Sequence, residues 1–232
     1  LGTAVALGLS IALVNAVYYV AIERLAVAVA LVLQYTGPAL LVGWVALTTK
    51  KAPSREIVFA LVAAFVGVVL VSEFLTEDLD DLDGLGIACG VGAAFFFATY
   101  TLLSERAGAA YGILGALFRG FVAASVMWIA FQIPRGWPHA LTTAEHLPRV
   151  MFIGLAGTLA PFLLYLWGVQ RVKPQRAIIA ATLEPPVAAV IAWIWLDQVL
   201  SGWQIAGGVL TLGAVALLQV RKAEPAPPPL PD

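Results

Sequence analysis

Residues 180–217 read AATLEPPVAAVIAWIWLDQVLSGWQIAGGVLTLGAVAL. Two apolar runs flank the short polar connector DQVLSG at 197–202. A bilayer core is crossed by about 20 apolar residues of helix, with a range of roughly 17–25. Both runs reach that length, so the stretch reads as a pair of membrane-crossing helices. The first run also holds Glu184, Pro185 and Pro186. A carboxylate and two prolines are each costly inside an apolar helix, which marks this run as more than a lipid anchor.

The rest of the chain has the same character. Of 232 residues, 61% are hydrophobic and 12% charged, and the mean hydropathy is +0.93. Soluble domains carry about 25% charged residues. Nearly uncharged runs recur near 3–22, 26–47, 57–75, 85–104, 112–133, 150–170, 177–196 and 202–220. The expectation is an all-α membrane protein, a helix bundle with eight spans. The connectors hold Pro, Gly or charge, among them TKKAPSRE (49–56), SERAGAAYG (104–112) and RVKPQR (171–176). Net charge is −1, so nothing suggests a nucleic-acid partner. The single cysteine, Cys89, rules out an intrachain disulfide and reads as a packing residue.

Positive residues orient such a bundle, because they concentrate in cytoplasmic loops. If the first span leaves the cytoplasm, Lys50, Lys51, Arg55, Arg106, Arg171, Lys173, Arg176, Arg221 and Lys222 fall inside. Arg24, Arg135 and Arg149 fall outside, a vote of nine to three. The C-terminus is then cytoplasmic. The acidic run Glu77, Asp78, Asp80, Asp81 and Asp83 becomes an outer loop without the glycine and terminal glutamate of an EF-hand. The proline-rich tail 222–232 is expected to be extended and disordered.

A shift of 147 residues lays Tyr18 on Tyr165, Arg24 on Arg171, Pro38 on Pro185 and Ser54 on Ser201. Eight of 55 pairs over 18–72 are identical, so the landmarks matter more than the identity. Five spans separate the related helices, and an odd number reverses direction in the membrane. That describes two inverted-topology repeats, an architecture of many secondary transporters. The division is 1–75 for three helices of a first repeat, 76–83 for the outer loop, 84–221 for a five-helix second repeat, and 222–232 for the tail. A matching first repeat calls for two further spans, about 60 residues with connectors, before Leu1.

These residues resemble the EamA-type transporters of the drug/metabolite transporter superfamily. GLGIACGVGAAFFFATYTLLSER (84–106) is similar to a repeat's opening helix, and GALFRGFVAA (115–124) to the next. The stretch 180–217 resembles the closing signature, with Asp197, Gln204, Gly207 and Gly213 in its marked places. Lys50 departs from it, standing where the first repeat usually has an acid. The resemblance implies ten helices, eight of them in this chain. It also implies transport of small solutes, usually export, across a bacterial cytoplasmic membrane, but no particular substrate. The leading reading is an exporter of small metabolites such as amino acids working by alternating access, with no cofactor expected. A coupling proton and a homodimer are compatible with it. The other readings are an intramembrane enzyme on lipid-linked substrates and a truncated, nonfunctional transporter relic.

Two charges lie well inside spans, Arg119 and Glu184. A charge at the membrane centre costs about 2.5–3.5 kcal/mol on insertion scales and usually faces a bundle interior or cavity. Each stands seven residues from its helix start, about 10 Å deep at 1.5 Å per residue. They are expected at one level, either as a structural ion pair or as cavity residues binding solute. Pro185 and Pro186 are expected to kink the helix and push Glu184 from helical dihedrals, with Pro38 as the repeat-related kink. Asn15, Gln34 and Tyr35 lie deep in spans and join the expected lining, as do Tyr18 and Tyr165. Tyr100 and Thr158 are further polar residues in apolar spans. His139, His146 and Glu145 share an outer loop, and no metal site is expected there. No phosphate loop or nucleophile elbow supports an enzyme.

Overall fold

The computed structural model describes residues 2–80, 82–136 and 143–220. Asp81, His139 and the tail 222–232 lie outside the described residues. Among the described residues every regular element is helical: α1 (Gly2–Arg24), α2 (Val27–Gln34), α3 (Gly37–Thr49), α4 (Arg55–Val71), α5 (Gly84–Gln132), α6 (Leu147–Phe152), α7 (Ala160–Val169), α8 (Pro174–Ala180), α9 (Glu184–Leu196) and α10 (Gly202–Val220). Backbone groups have no water partners in hydrocarbon, so helices that satisfy them internally are the structures this composition permits.

Three pairs of helices form bent rods. Val27–Thr49 joins α2 to α3, Leu147–Val169 joins α6 to α7 through a π-helical turn at Ile153–Leu159, and Pro174–Leu196 joins α8 to α9 through a 3₁₀ turn at Ala181–Leu183. Six stretches are long and apolar enough to cross a membrane, against the eight expected. The difference has two sources. Helix α4, at 17 residues, is not among the six. The two spans read at 85–104 and 112–133 are continuous as α5.

The connector expected at 104–112 is therefore helical, as its alanines favour. The Gln170 amide also tethers it, donating to the carbonyls of Ser104 (2.9 Å) and Glu105 (3.2 Å). The chain turns instead at Gly112, with φ 69° and ψ 167°, a conformation essentially confined to glycine. Contacts with α1 show the reversal. Gly86 abuts Arg24 and Leu25, Gly92 abuts Val17, and Gly120 abuts Leu7 and Ile11. Gly86 and Gly120 are 34 residues apart, about 51 Å on a straight helix, whereas Arg24 and Leu7, which they abut, are 17 residues apart, about 26 Å, so α5 is not straight.

The 147-residue offset recurs in local geometry. Helices α3 and α9 start at Gly37 and Glu184 and have 13 residues each. Both end on a left-handed residue, Lys50 (φ 54°) and Asp197 (φ 53°). Ser54 and Ser201 then accept hydrogen bonds from the amides of Ile57 (3.4 Å) and Gln204 (3.2 Å). Helices α4 and α10 start at the same offset and pack together. Gly207 abuts Leu70 and Val71, while Ala60, Ala63 and Ala64 cluster with Ala214, Val215 and Leu218. That order requires the two helices to run antiparallel.

Large apolar side chains cover the outside, including Leu47, Phe95, Leu114, Phe118, Phe152 and Trp195. Soluble monomers rarely expose apolar patches beyond a few hundred Å², so this belt is a lipid-facing surface. The chain is a multi-pass helical membrane protein.

Candidate functional site

One cavity, about 720 Å³, lies among α1, α2, α5, the π-turn rod and α9. Its position follows from the broken rods. Proline has no N–H, so Pro185 and Pro186 take the α-helical donors from the carbonyls one turn earlier, and the Ala181 carbonyl accepts the Glu184 amide instead. The helix tightens to a 3₁₀ turn at Ala181–Leu183 and restarts at Glu184 with the prolines in its first turn, where no donor is needed. Glu184 itself is helical (φ −57°, ψ −51°), which corrects the expectation that Pro185 displaces it. The break falls in the preceding turn instead.

Tyr35, at the end of α2, answers this break from across the cavity. Its hydroxyl lies 3.0 Å from Oε2 of Glu184 and 3.4 Å from the carbonyl of Ala181. A hydroxyl carries one proton, so it donates to the nearer carboxylate, with the carbonyl as the alternative acceptor. Tyr35 is buried, while the Glu184 side chain is exposed to the cavity.

Asn15, Tyr18, Gln34 and Tyr165 line the same space. The Asn15 amide nitrogen is held by the Ile11 carbonyl at 2.7 Å. Tyr165 shares a hydrogen bond of 2.8 Å with Thr101, whose hydroxyl also reaches the Phe97 carbonyl at 2.9 Å. Pro185 is a lining residue, Pro186 is buried beside it, and Pro38 is fully buried at the start of α3.

Arg119 is elsewhere. It is exposed, donates to the Gly115 carbonyl at 3.0 Å, and lies 4.8 Å from the Tyr111 ring centroid. It borders a separate apolar crevice between α1 and the second limb of α5, not the cavity of Glu184. The expected Arg119–Glu184 pair is not formed. Equal depth does not make two residues neighbours when their helices present different faces.

Tyr100 and Phe97 were not among the expected site residues, yet both line the cavity. They are three residues apart on α5 and so share a face. Tyr100 is 5% exposed, stacks on Tyr165 with centroids 5.3 Å apart, and presents its ring rather than its buried hydroxyl to the cavity. The only hint in sequence was the pattern FFFATYT at 95–101, where aromatic and hydroxyl residues share an apolar span. At the mouth of α5, Asp83 caps the Gly86 amide (2.7 Å) and pairs with Arg24 at 3.4 Å. His146 and Glu145 belong to no metal-binding group among the described residues.

Comparison with known proteins places this geometry in context. The profile of the EamA-like transporter family matches residues 84–220. The threonine/homoserine exporter RhtA of Salmonella typhimurium (strain SL1344) is 28% identical over 201 residues, covering 85% of this chain and 64% of that protein. The uncharacterized inner membrane transporter YicL of Salmonella typhimurium is 25% identical over 209 residues, covering 89% and 69%. RhtA of Escherichia coli (strain K12) is 26% identical over 217 residues, covering 93% and 70%. The chain thus spans 64% to 70% of the length of these relatives. A solved crystal structure shares the fold with a TM-score of 0.73 at 16% identity, over 95% of this chain and 76% of the other.

Proposed function

The chain belongs to the EamA-like transporter family, and on that premise we propose that it moves small metabolites, such as amino acids, outward across a bacterial cytoplasmic membrane. The observation that carries this reading is the cavity itself. A carboxylate, a buried tyrosine and two neutral amides converge beside two interrupted helices. Interrupted helices that expose backbone groups are tolerated at membrane depth where they line a cavity, and they recur at transporter sites.

The mechanism we infer is alternating access between two inverted units, 1–75 and 84–221. The antiparallel packing of α4 on α10, which start 147 residues apart, supports it. So do the matched caps at Ser54 and Ser201. Eight crossings follow if α4 spans and α5 crosses twice about Gly112. Seventeen residues fall within the spanning range of roughly 17–25. Solute then contacts Glu184, Tyr35, Gln34, Asn15, Tyr18 and Tyr165, and Glu184 also carries a coupling proton. The C-terminus is cytoplasmic and the acidic loop outside. The relatives' names are those of transporters, which favours transport over enzymatic turnover of lipid-linked substrates.

Proteoliposomes containing the native protein test the reading. Saturable, proton-driven efflux of a metabolite from a mixed panel, lost in Glu184→Gln, is expected. Flux that is undiminished in that variant would remove Glu184 from the transport path.

A further inference from the structure

The cavity's charge inventory narrows the kind of solute. Glu184 is the one carboxylate among the lining residues, and they include no Arg, Lys or His. The nearest internal cation of the sequence, Arg119, borders another crevice. A helix N-terminus often supplies the missing positive charge through free N–H groups and the helix dipole. Here α9 begins with Glu184, Pro185 and Pro186, so an acid occupies that terminus and two of its donors are absent.

The remaining wall is aromatic. Tyr100 packs on Tyr165 (5.3 Å between centroids) and on Phe162 (5.4 Å), and Phe97 on Tyr165 (6.0 Å). Aromatic faces attract cations.

We propose that the cavity selects small amines of net positive charge, whose ammonium sits against Glu184 and whose second polar group is neutral, over zwitterionic amino acids. The inference rests on the cavity being the transport site. A zwitterion brings a carboxylate into a space whose fixed charge is already negative, with only neutral donors such as Gln34 and Tyr18 to meet it. An uncompensated charge out of water is expensive, whereas a hydroxyl is satisfied by those same donors.

Isothermal titration of the purified native protein tests this with two pairs of probes: threonine against threoninol, and phenylalanine against phenylalaninol. Within each pair the carboxylate becomes a hydroxymethyl group. The amino alcohols are expected to bind at least about tenfold more tightly than their amino acids. Glu184→Gln abolishes the binding. Equal or tighter amino-acid binding that is still lost in Glu184→Gln overturns charge selection and leaves the cavity as the site. Binding that Glu184→Gln does not change overturns both. Absence of saturable binding by any of the four probes overturns charge selection.

Discussion

The Tyr35 hydroxyl lies 3.0 Å from Oε2 of Glu184, joining the end of α2 to the start of α9 across the cavity. The same hydroxyl is within 3.4 Å of the Ala181 carbonyl, which loses its α-helical donor at Pro185 and accepts the Glu184 amide in the 3₁₀ turn instead. One side chain therefore orients the acid and stands by the broken backbone. Tyr35→Phe keeps the ring and removes both interactions. A hydrogen bond to a charged group contributes about 1.5–3 kcal/mol. The variant is expected to raise the solute KM at least about tenfold while inserting normally, as measured by initial flux rates in proteoliposomes.

Glu184 and Arg119 are expected to separate cleanly. Glu184→Gln eliminates flux, because it removes the cavity's one carboxylate. Arg119→Ala leaves flux within about twofold, since Arg119 donates to the Gly115 carbonyl, lies by the Tyr111 ring and borders a crevice apart from Glu184. Parallel transport assays on the two variants check this, and a dead Arg119→Ala variant that is still folded would link the outer crevice to transport.

Gly112 is where α5 reverses, at φ 69° and ψ 167°. A side chain there is strained whatever space surrounds it. Gly112→Ala is expected to cost about 1–3 kcal/mol. Gly43→Ala, at a helical position with nothing near its would-be Cβ, is a control expected to be neutral or slightly stabilising. Thermal denaturation in detergent distinguishes them.

Gly67 and Gly207 let α4 and α10 approach backbone to backbone. A Cβ on Gly67 would sit 2.7 Å from the Gly207 carbonyl oxygen, and one on Gly207 would sit 2.6 Å from that of Gly67. Small residues at such crossings govern helix association in lipid. Gly207→Leu is expected to lower the melting temperature and the folded yield, whereas Gly213→Leu, with open space at its Cβ, is not. Size-exclusion profiles after heating report the difference.

The difference between Glu184 and the residue 147 positions earlier has a packing reason. Glu184 corresponds to Gly37 under the 147-residue offset. A Cβ on Gly37 would sit 2.9 Å from the Ala94 carbonyl and 3.3 Å from Phe97. The first half of the chain uses that position for close approach to α5, so an acid has no room there. The sequence marks the asymmetry, and only the packed helices give its cause.

Much of the architecture is one-dimensional and therefore legible in the sequence. Span length follows from summed hydropathy, and two of the three interrupted rods follow from Pro38, Pro185 and Pro186. The caps at Ser54 and Ser201 follow from local hydrogen bonding, and Glu184 stands out because a charge in an apolar run is costly. What the sequence left open is the rotation of each helix about its own axis. In water, a polar stripe marks the outside of a helix; in lipid, every face is apolar and the stripe disappears. Hence depth alone paired Arg119 with Glu184, and Tyr100 was only a further polar residue in an apolar span. Tertiary packing turned Arg119 to an outer crevice and Tyr100 into the cavity wall, because close contacts between small residues, not hydropathy, set which face each helix presents.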